Sequence, residues 1–528
     1  MSLFGRVSTP LEEIVMPAPY PTPEQDAAMT AFGTGEHLVL QAGAGTGKTT
    51  TLAMLGASTP RRGLYIAFNK SIAQEAGRTF PTSVKCKTAH ALAYAAVGHR
   101  YAERLRSPRV TSVTTGSSLG INMELQLGDR TVTAGALSYT TLQTVIHFCW
   151  SADLTIGRQH VPWLRGIAEQ HLHDQLADIV LPYAQRAWAD VQKPDRGKVR
   201  FVHDHYLKMW ALTEPKIAAD FLLLDEAQDT NPVVEQVFNA QRGHAQLIMV
   251  GDSAQAIYGW RGARDVMTGF DGNRLTLSRS FRFGEHLAAE ANRWLAIANA
   301  PIRLTGSPAV HTTVEKVTDP DAILCRSNAG TMAEVMSLLE AGRSVALVGG
   351  GKALTDLAYA ARDLKTGKRT YHPELLLFSS WGELQDYAEW DPAGRDLLPL
   401  VELIDEHGVD VILDTVSRLS DETGADITVS TTHKAKGREW SSVRIAEDFT
   451  EPEDPENVDS AGEPLPGEID EAEARLAYVA VTRARHRLDL GGLSWINRHP
   501  DGDPLGRRRH RSTPHNTEDS APSSSDPG

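Results

Sequence analysis

The chain is poor in cysteine: Cys86, Cys149 and Cys325 are the three in 528 residues, widely separated and odd in number. Such a set offers neither a disulfide framework nor a thiolate metal site, and it suits a reducing compartment. Long apolar runs are missing as well. No stretch approaches the ~18 consecutive apolar residues of a membrane-spanning helix, so no membrane partner is expected. The first residues hold proline and acids where an export signal needs a basic and then an apolar stretch, which points to the cytoplasm. Net positive charge is also absent, the formal total being −14. Twelve Asp or Glu and no Lys or Arg fall between residues 447 and 473, broken by Pro and Gly. Without that segment the chain is close to neutral. The total therefore reports an exposed acidic loop and excludes no local basic channel.

What is present is ample material for two or more cores, at 41% hydrophobic and 23% charged residues. The apolar run Leu38-Val39-Leu40 leads into Ala42-Gly43-Ala44-Gly45-Thr46-Gly47-Lys48-Thr49. This reads as a strand feeding a Gly-rich turn that opens a helix. Consecutive backbone N–H groups and the helix dipole then converge on one point, which suits a triphosphate. Lys48 would reach the β- and γ-phosphates, and the Thr49 hydroxyl would sit on Mg²⁺. The first position holds Ala42 where the strict pattern wants Gly, so the partners downstream decide. Phe221-Leu222-Leu223-Leu224 is an apolar run of the kind that forms a buried parallel strand, and it ends in Asp225-Glu226. The C-terminal end of such a strand borders the ligand crevice of an open α/β sheet. Asp225 is placed to hold Mg²⁺ through water, and Glu226 to orient and deprotonate an attacking water; Asp225 taken alone suits a helix N-cap equally. A further run, Gln246-Leu247-Ile248-Met249-Val250, ends in Gly251-Asp252 and is followed by Gln255. Three strand ends with phosphate-, metal- and water-handling groups imply an ATP- and Mg²⁺-dependent hydrolase.

More stretches complete the set: Ile66-Ala67-Phe68-Asn69-Lys70, Thr88-Ala89-His90, Asp225-Glu226-Ala227-Gln228-Asp229, and Gln255-Ala256-Ile257-Tyr258-Gly259-Trp260-Arg261-Gly262-Ala263. Ser280-Phe281-Arg282, Thr432-His433-Lys434-Ala435-Lys436-Gly437-Arg438-Glu439-Trp440 and Arg475-Leu476-Ala477-Tyr478-Val479-Ala480-Val481-Thr482-Arg483-Ala484 follow. With these the chain resembles superfamily 1 helicases of the UvrD/Rep class, and most closely the helicase portion of F-box DNA helicases, with no F-box in this sequence. The resemblance implies an α/β fold of two RecA-like P-loop domains with parallel sheets, each carrying a mostly helical insertion.

It also implies roles. Lys48, Glu226, Gln255, Arg282 and Arg483 would be catalytic, with Gln255 sensing the γ-phosphate and the two arginines reaching it from the second domain. Guanidinium forks suit a transferring phosphoryl group whose charge spreads over several oxygens. The nucleotide would be held by Ala42, Gly43, Ala44, Gly45, Thr46, Gly47, Lys48, Thr49 and Thr50. Gln25 would read the adenine edge, Phe281 stack on the base, and Glu439 contact the ribose. Gln25 also fits a plain capping box after Thr22 and Pro23. Phe281 stands where the commoner pattern has Tyr, which keeps the aromatic face and loses the hydroxyl. On the DNA side, Trp260 would be the platform on which a single-strand base stacks. Asn69, Thr88, His90, Tyr258, Arg261, Thr432, His433 and Lys436 would complete the contacts. Phe68 is displaced by one position from the family's aromatic and is as readily a core residue. Lys85 and Lys87 suit either phosphate contacts or a solvated strand face.

Along the chain this gives a first RecA-like domain over residues 1–100 and 199–283, with a helical insertion at 101–198. A second covers 284–350 and 425–498, with a short insertion at 351–424, and a polar, disordered tail follows from 499 to 528. His171, His173, His203 and His205 are spaced by two within each pair, which does not bring side chains together on a helix. The expected activity is an ATP-dependent helicase or translocase acting on single-stranded DNA and partial duplexes. Movement 3′-to-5′, repair or recombination, and a protein loading partner are what the resemblance implies. An RNA-directed ATPase and an ATP-switched, DNA-bound factor that displaces proteins without unwinding fit the same motifs, because sugar discrimination rests on 2′-OH contacts that sequence does not show.

Overall fold

The computed structural model describes residues 20–107, 111–257, 265–390, 397–458, 460, 462 and 464–502. Two sheets organise them. The first joins β1 (Leu38–Ala42), β2 (Gly63–Ala67), β3 (Val84–Thr88), β6 (Phe221–Leu224), β7 (Gln246–Gly251) and β8 (Asn273–Leu277) in the order β3-β2-β6-β7-β1-β8. Every pairing in it is parallel. β6 and β7 are buried along their whole length, as continuous apolar strands covered on both faces should be. Strand alternation sends successive residues to opposite faces. Val39, Leu222, Leu224, Leu247 and Met249 therefore join a core with helices Ala134–Trp150 and His203–Ala211. Leu38, Leu40, Leu223, Ile248 and Val250 join another with helices Pro23–Gly33 and Lys48–Ala57.

Between β3 and β6 the chain is mainly helical, with Ala134–Trp150 packed on Gln170–Val191. It also holds an antiparallel hairpin, β4 (Leu125–Leu127) with β5 (Arg130–Val132), which a purely helical reading of 101–198 lacks. Helix His203–Ala211 leads towards β6.

The second sheet is also all parallel. It joins β9 (Thr313–Val314), β10 (Ala322–Cys325), β11 (Val345–Leu347), β12 (Ile427–Thr431), β13 (Trp440–Ile445) and β16 (Ala484–Asp489) in the order β11-β12-β10-β13-β16-β9. Ile323, Cys325, Val345, Val429 and the helices between Lys352 and Ser417 bury one face. Leu324, Val443, Ile445 and Leu488 face helices Glu285–Ile297 and Glu471–Val481. That second core takes in Ala44, Ala254 and Ile257 from the first lobe, so the lobes meet through a shared apolar seam. The acidic segment is not a plain loop: β14 (Glu453–Val458) pairs antiparallel with β15 (Pro464–Pro466) in a largely exposed hairpin. Of the expected tail, His499 is buried and bonded to the Gly467 carbonyl, and 503–528 lie outside the described residues.

Candidate active site

The Gly-rich turn leaves β1 and enters helix Lys48–Ala57 through Gly45 (φ 73°) and Gly47 (φ 77°). Only glycine takes this backbone without strain. A Cβ on Gly45 would also lie 2.6 Å from Arg282 Cβ. Ala42, the departure from the strict pattern, is the last residue of β1 and pairs with Leu277, where a Cβ is free of cost. Among the described residues, Gly47 as N-cap supplies no side-chain bond to the first helical N–H groups. Those donors and the helix dipole are what an anion takes.

Beside this turn, Asp225 and Glu226 leave the end of β6. Asp225 Oδ2 accepts from Thr49 Oγ1 at 3.0 Å and from Tyr65 Oη at 2.5 Å. Burial, helped by the neighbouring Glu226 charge, pushes the Asp225 carboxyl up. A carboxylate and a hydroxyl side by side are the hard oxygen donors that a small divalent cation takes. Glu226 sits in the left-handed region (φ 50°), a conformation a non-glycine residue holds only at a cost of ~1–2 kcal/mol. This carries its carboxylate to 3.6 Å from Lys48 Nζ. Burial pushes Glu226 up, but Lys48, Lys436, Arg483 and a bond from Gln228 outweigh it and hold the group at about 2.

Gln255, Arg282 and Arg483 line the same cavity of about 140 Å³ as Gly45, Lys48 and Glu226. Arg483 is buried and hydrogen-bonds the Val479 carbonyl at 2.9 Å and Gln255 Oε1 at 3.4 Å. Burial and the adjacent Arg282 charge bring it down to about 9. Arg282 donates to Glu439 Oε2 at 2.7 Å and to the Thr482 carbonyl at 3.1 Å. Glu439, expected on a ribose, is thus engaged with Arg282.

Gln25 forms the capping box expected of it and lies beside the Gly-rich turn. Its Oε1 accepts from Thr22 N–H at 3.0 Å in a capping box, and its Nε2 donates to Thr51 Oγ1 at 3.0 Å, beside the turn. A Cβ on Gly47 would lie 3.6 Å from both Gln25 Nε2 and the Phe281 ring. Phe281 is 47% exposed there, an open aromatic face next to the turn. Thr46 is buried and bonded to the Gly43 carbonyl, whereas Thr50 is exposed.

Two residues expected on DNA are placed elsewhere. Lys436 lines the cleft instead: its Nζ lies 2.6 Å from Asp229 Oδ2 and also bonds the Gln255 carbonyl. An ammonium so buried needs a carboxylate, and the first lobe supplies one. Thr432 is fully buried and donates to the Cys325 carbonyl at 3.3 Å. His433 is partly buried, and burial with the Arg326 charge lowers its pKa. Tyr258, Trp260 and Arg261 lie outside the described residues.

The remaining DNA candidates gather on another face. Asn69 and Thr88 cap helices Lys70–Thr79 and Ala89–Ala96, and His90 Nε2 lies 3.1 Å from Asp204 Oδ1. All three line a groove of about 910 Å³ together with Phe68, Lys87 and Tyr94. Phe68 is 50% exposed, so it is not core, and it lines both this groove and the cleft. Tyr94 and Phe68 give the groove two open aromatic faces.

Sequence reasoning passed over Gln228, Asp229, Asp252 and Tyr478 as site residues. Each lies inside a quoted motif, which was the available signal. Asp229 and Tyr478 find partners in distant segments, Lys436 and Asp252.

An AAA domain family model matches residues 25–261, and a UvrD-like helicase C-terminal domain model matches 386–494. F-box DNA helicase protein 1 of Schizosaccharomyces pombe is 29% identical over 496 residues, covering 86% of this chain and 55% of that protein. F-box DNA helicase 1 of Gallus gallus is 28% identical over 484 residues, covering 86% of this chain and 47% of that protein. The chain thus spans about half the length of these curated relatives. Among the described residues, no helix is long and apolar enough to cross a membrane. Two parallel sheets meeting at a shared cleft, with an AAA match over the first and a UvrD-like helicase C-terminal match within the second, make this chain similar to the UvrD-like superfamily 1 helicases.

Proposed function

We propose that the chain is an ATP-dependent DNA helicase or single-strand translocase. The observation that carries this reading is one cavity shared by Lys48, Glu226 and Gln255 of the first lobe, Arg282 at that lobe's last residues and Arg483 of the second lobe. In it the uncapped N–H groups of helix Lys48–Ala57 and Lys48 take the phosphates, and Phe281 with Gln25 takes the base. Thr49 and Asp225 would hold Mg²⁺, whose charge would offset that of the phosphate oxygens when bound. Glu226, kept ionised by its cationic neighbours, accepts the proton of the attacking water. Arg282 and Arg483 stabilise the equatorial charge of the transferring phosphoryl group. Arg483 comes from the second lobe and Arg282 from the junction between the two, so nucleotide binding draws the lobes together and hydrolysis releases them.

A strand threaded along the groove of Phe68, Tyr94, Lys87, Thr88 and His90, and past Trp260, would be moved by that cycle. Aromatic faces accept any base, and caps and lysines hold phosphates, so recognition is indifferent to sequence. The first lobe is assigned to 1–100 and 199–283 and the second to 284–350 and 425–498, with 101–198 and 351–424 as insertions. Movement 3′-to-5′ and service in repair or recombination are part of the proposal, and the likeness to UvrD-like helicases supports them.

The test is ATP hydrolysis with and without single-stranded DNA, in wild type and Lys48→Ala, followed by unwinding of duplexes with a 3′ or a 5′ overhang. DNA-stimulated hydrolysis lost in Lys48→Ala, with opening of the 3′-tailed duplex, is expected. No stimulation by DNA overturns the motor reading. Stimulation by RNA strands alone, or hydrolysis without unwinding, overturns the substrate or the helicase half of it.

A further inference from the structure

Tyr478 belongs to none of the catalytic or binding sets above. It stands on helix Glu471–Val481 of the second lobe, fully buried. Its hydroxyl reaches the first lobe, accepting from the Ala44 N–H in the Gly-rich turn at 3.0 Å and donating to Asp252 Oδ2 at 2.8 Å. The same Oδ2 accepts from Gln255 Nε2 at 2.8 Å. A primary amide has a donor end and an acceptor end. With Nε2 held by Asp252, Oε1 must face away, and there Arg483 Nη2 reaches it at 3.4 Å. A second arm leaves from the backbone: Asp252 N–H donates to Gln228 Oε1 at 2.9 Å, and Gln228 Nε2 donates to Glu226 Oε2 at 2.6 Å. One hydroxyl thus touches the turn and, through the single residue Asp252, both Gln255 (by its carboxylate) and the segment that holds Glu226 (by its backbone N–H).

We infer that Tyr478 is a positioning residue, whose hydroxyl fixes Asp252 and through it the amide orientation of Gln255, making the γ-phosphate sensor correct only when the second lobe is docked. This deepens the proposed nucleotide hydrolysis and rests on it. Asp252 is fully buried, and burial pushes its carboxyl up. Deprived of the tyrosine donor, the carboxylate is left with fewer donors, and a protonated Asp252 would donate to Gln255 and turn its amide round. The Ala44 N–H would face a ring edge in place of an oxygen.

The experiment compares Tyr478→Phe, Gln255→Ala and the double variant in the full chain, with saturating Mg-ATP and a single-stranded oligonucleotide. Tyr478→Phe is expected to lower kcat by about a hundredfold, the scale of a catalytic group misplaced by ~1 Å. Its affinity for ADP, which lacks the γ-phosphate, should stay within about twofold. Because Tyr478 acts through Gln255, the double variant should lose no more than Gln255→Ala alone. Multiplicative losses, an unchanged kcat in Tyr478→Phe, or an equal loss of ADP affinity overturn the inference. Asp252→Asn leaves the tyrosine in place and should show the same fall in kcat with ADP affinity kept; it carries the test if Tyr478→Phe does not fold, and a wild-type kcat in it overturns the inference. A wild-type chain without ATPase activity overturns this inference and the parent reading together, whereas wild-type activity with multiplicative losses overturns the relay alone.

Discussion

Replacing Lys436 by Met removes the cation from a buried ion pair that joins the lobes, and the cost is set by what Asp229 can then do. The two side chains are 8% and 3% exposed. Stranding one partner of such a pair costs up to ~3–5 kcal/mol if the remaining charge stays ionised. Protonation offers an escape. Even beside Lys436, burial raises the Asp229 carboxyl from 3.8 to about 6, and without the lysine it goes higher. Because the folded pKa lies above the unfolded one, this group's contribution is complete below about 4 and is lost as pH rises towards the folded value. In wild type that loss is over by pH 7. In Lys436→Met it continues, since the folded protein keeps a proton that the unfolded chain has released. At ~1.4 kcal/mol per pH unit, the extra destabilisation is about 1 kcal/mol at pH 7 and between 2 and 3 at pH 8. Urea unfolding of both proteins at pH 6, 7 and 8 measures it, and the slope of about one proton is the signature. A difference in stability that does not change between pH 7 and 8 refutes the buried pair.

Phe281→Ala should raise the KM for ATP about tenfold and leave kcat within about twofold, because a stacked base contributes ~1–3 kcal/mol and takes no part in the chemistry; an unchanged KM in steady-state kinetics would remove Phe281 from the site. Tyr94→Ala should weaken binding of a fluorescent single-stranded oligonucleotide at least fivefold while leaving DNA-free ATPase alone. Equal affinity by anisotropy would show that the groove is not the strand's path. Gly45→Ala should lower thermal stability by ~1–2 kcal/mol from the backbone alone, and the close Arg282 Cβ should abolish lobe closure. A variant that melts and hydrolyses ATP like wild type contradicts that placement.

Much of this was legible in the sequence for a physical reason. A parallel strand buried on both faces must be apolar throughout, so β1, β6 and β7 announce themselves, and the groups at their ends are the ones beside the crevice. The hairpin of β4 and β5 was not, since three-residue strands carry too little alternation to read. Lys436 was expected on DNA because nothing near it in sequence is a partner; Asp229 lies 207 residues away. Tyr478 carried no assignment of its own, and its hydroxyl finds oxygen and nitrogen partners 226 and 434 residues distant. Thr432 stands at the start of a short helix, where a hydroxyl normally meets water, and the second sheet closes over it. For Lys436 and Tyr478, what the sequence hides is the docking of the second lobe on the first.

That docking is tested most directly by the ADP affinity and single-turnover hydrolysis of Arg483→Ala in the presence of single-stranded DNA. The account predicts ADP binding close to wild type and hydrolysis slowed by 10³-fold or more, the scale of a removed arginine finger. Hydrolysis at the wild-type rate would mean that the far lobe contributes nothing to the chemistry.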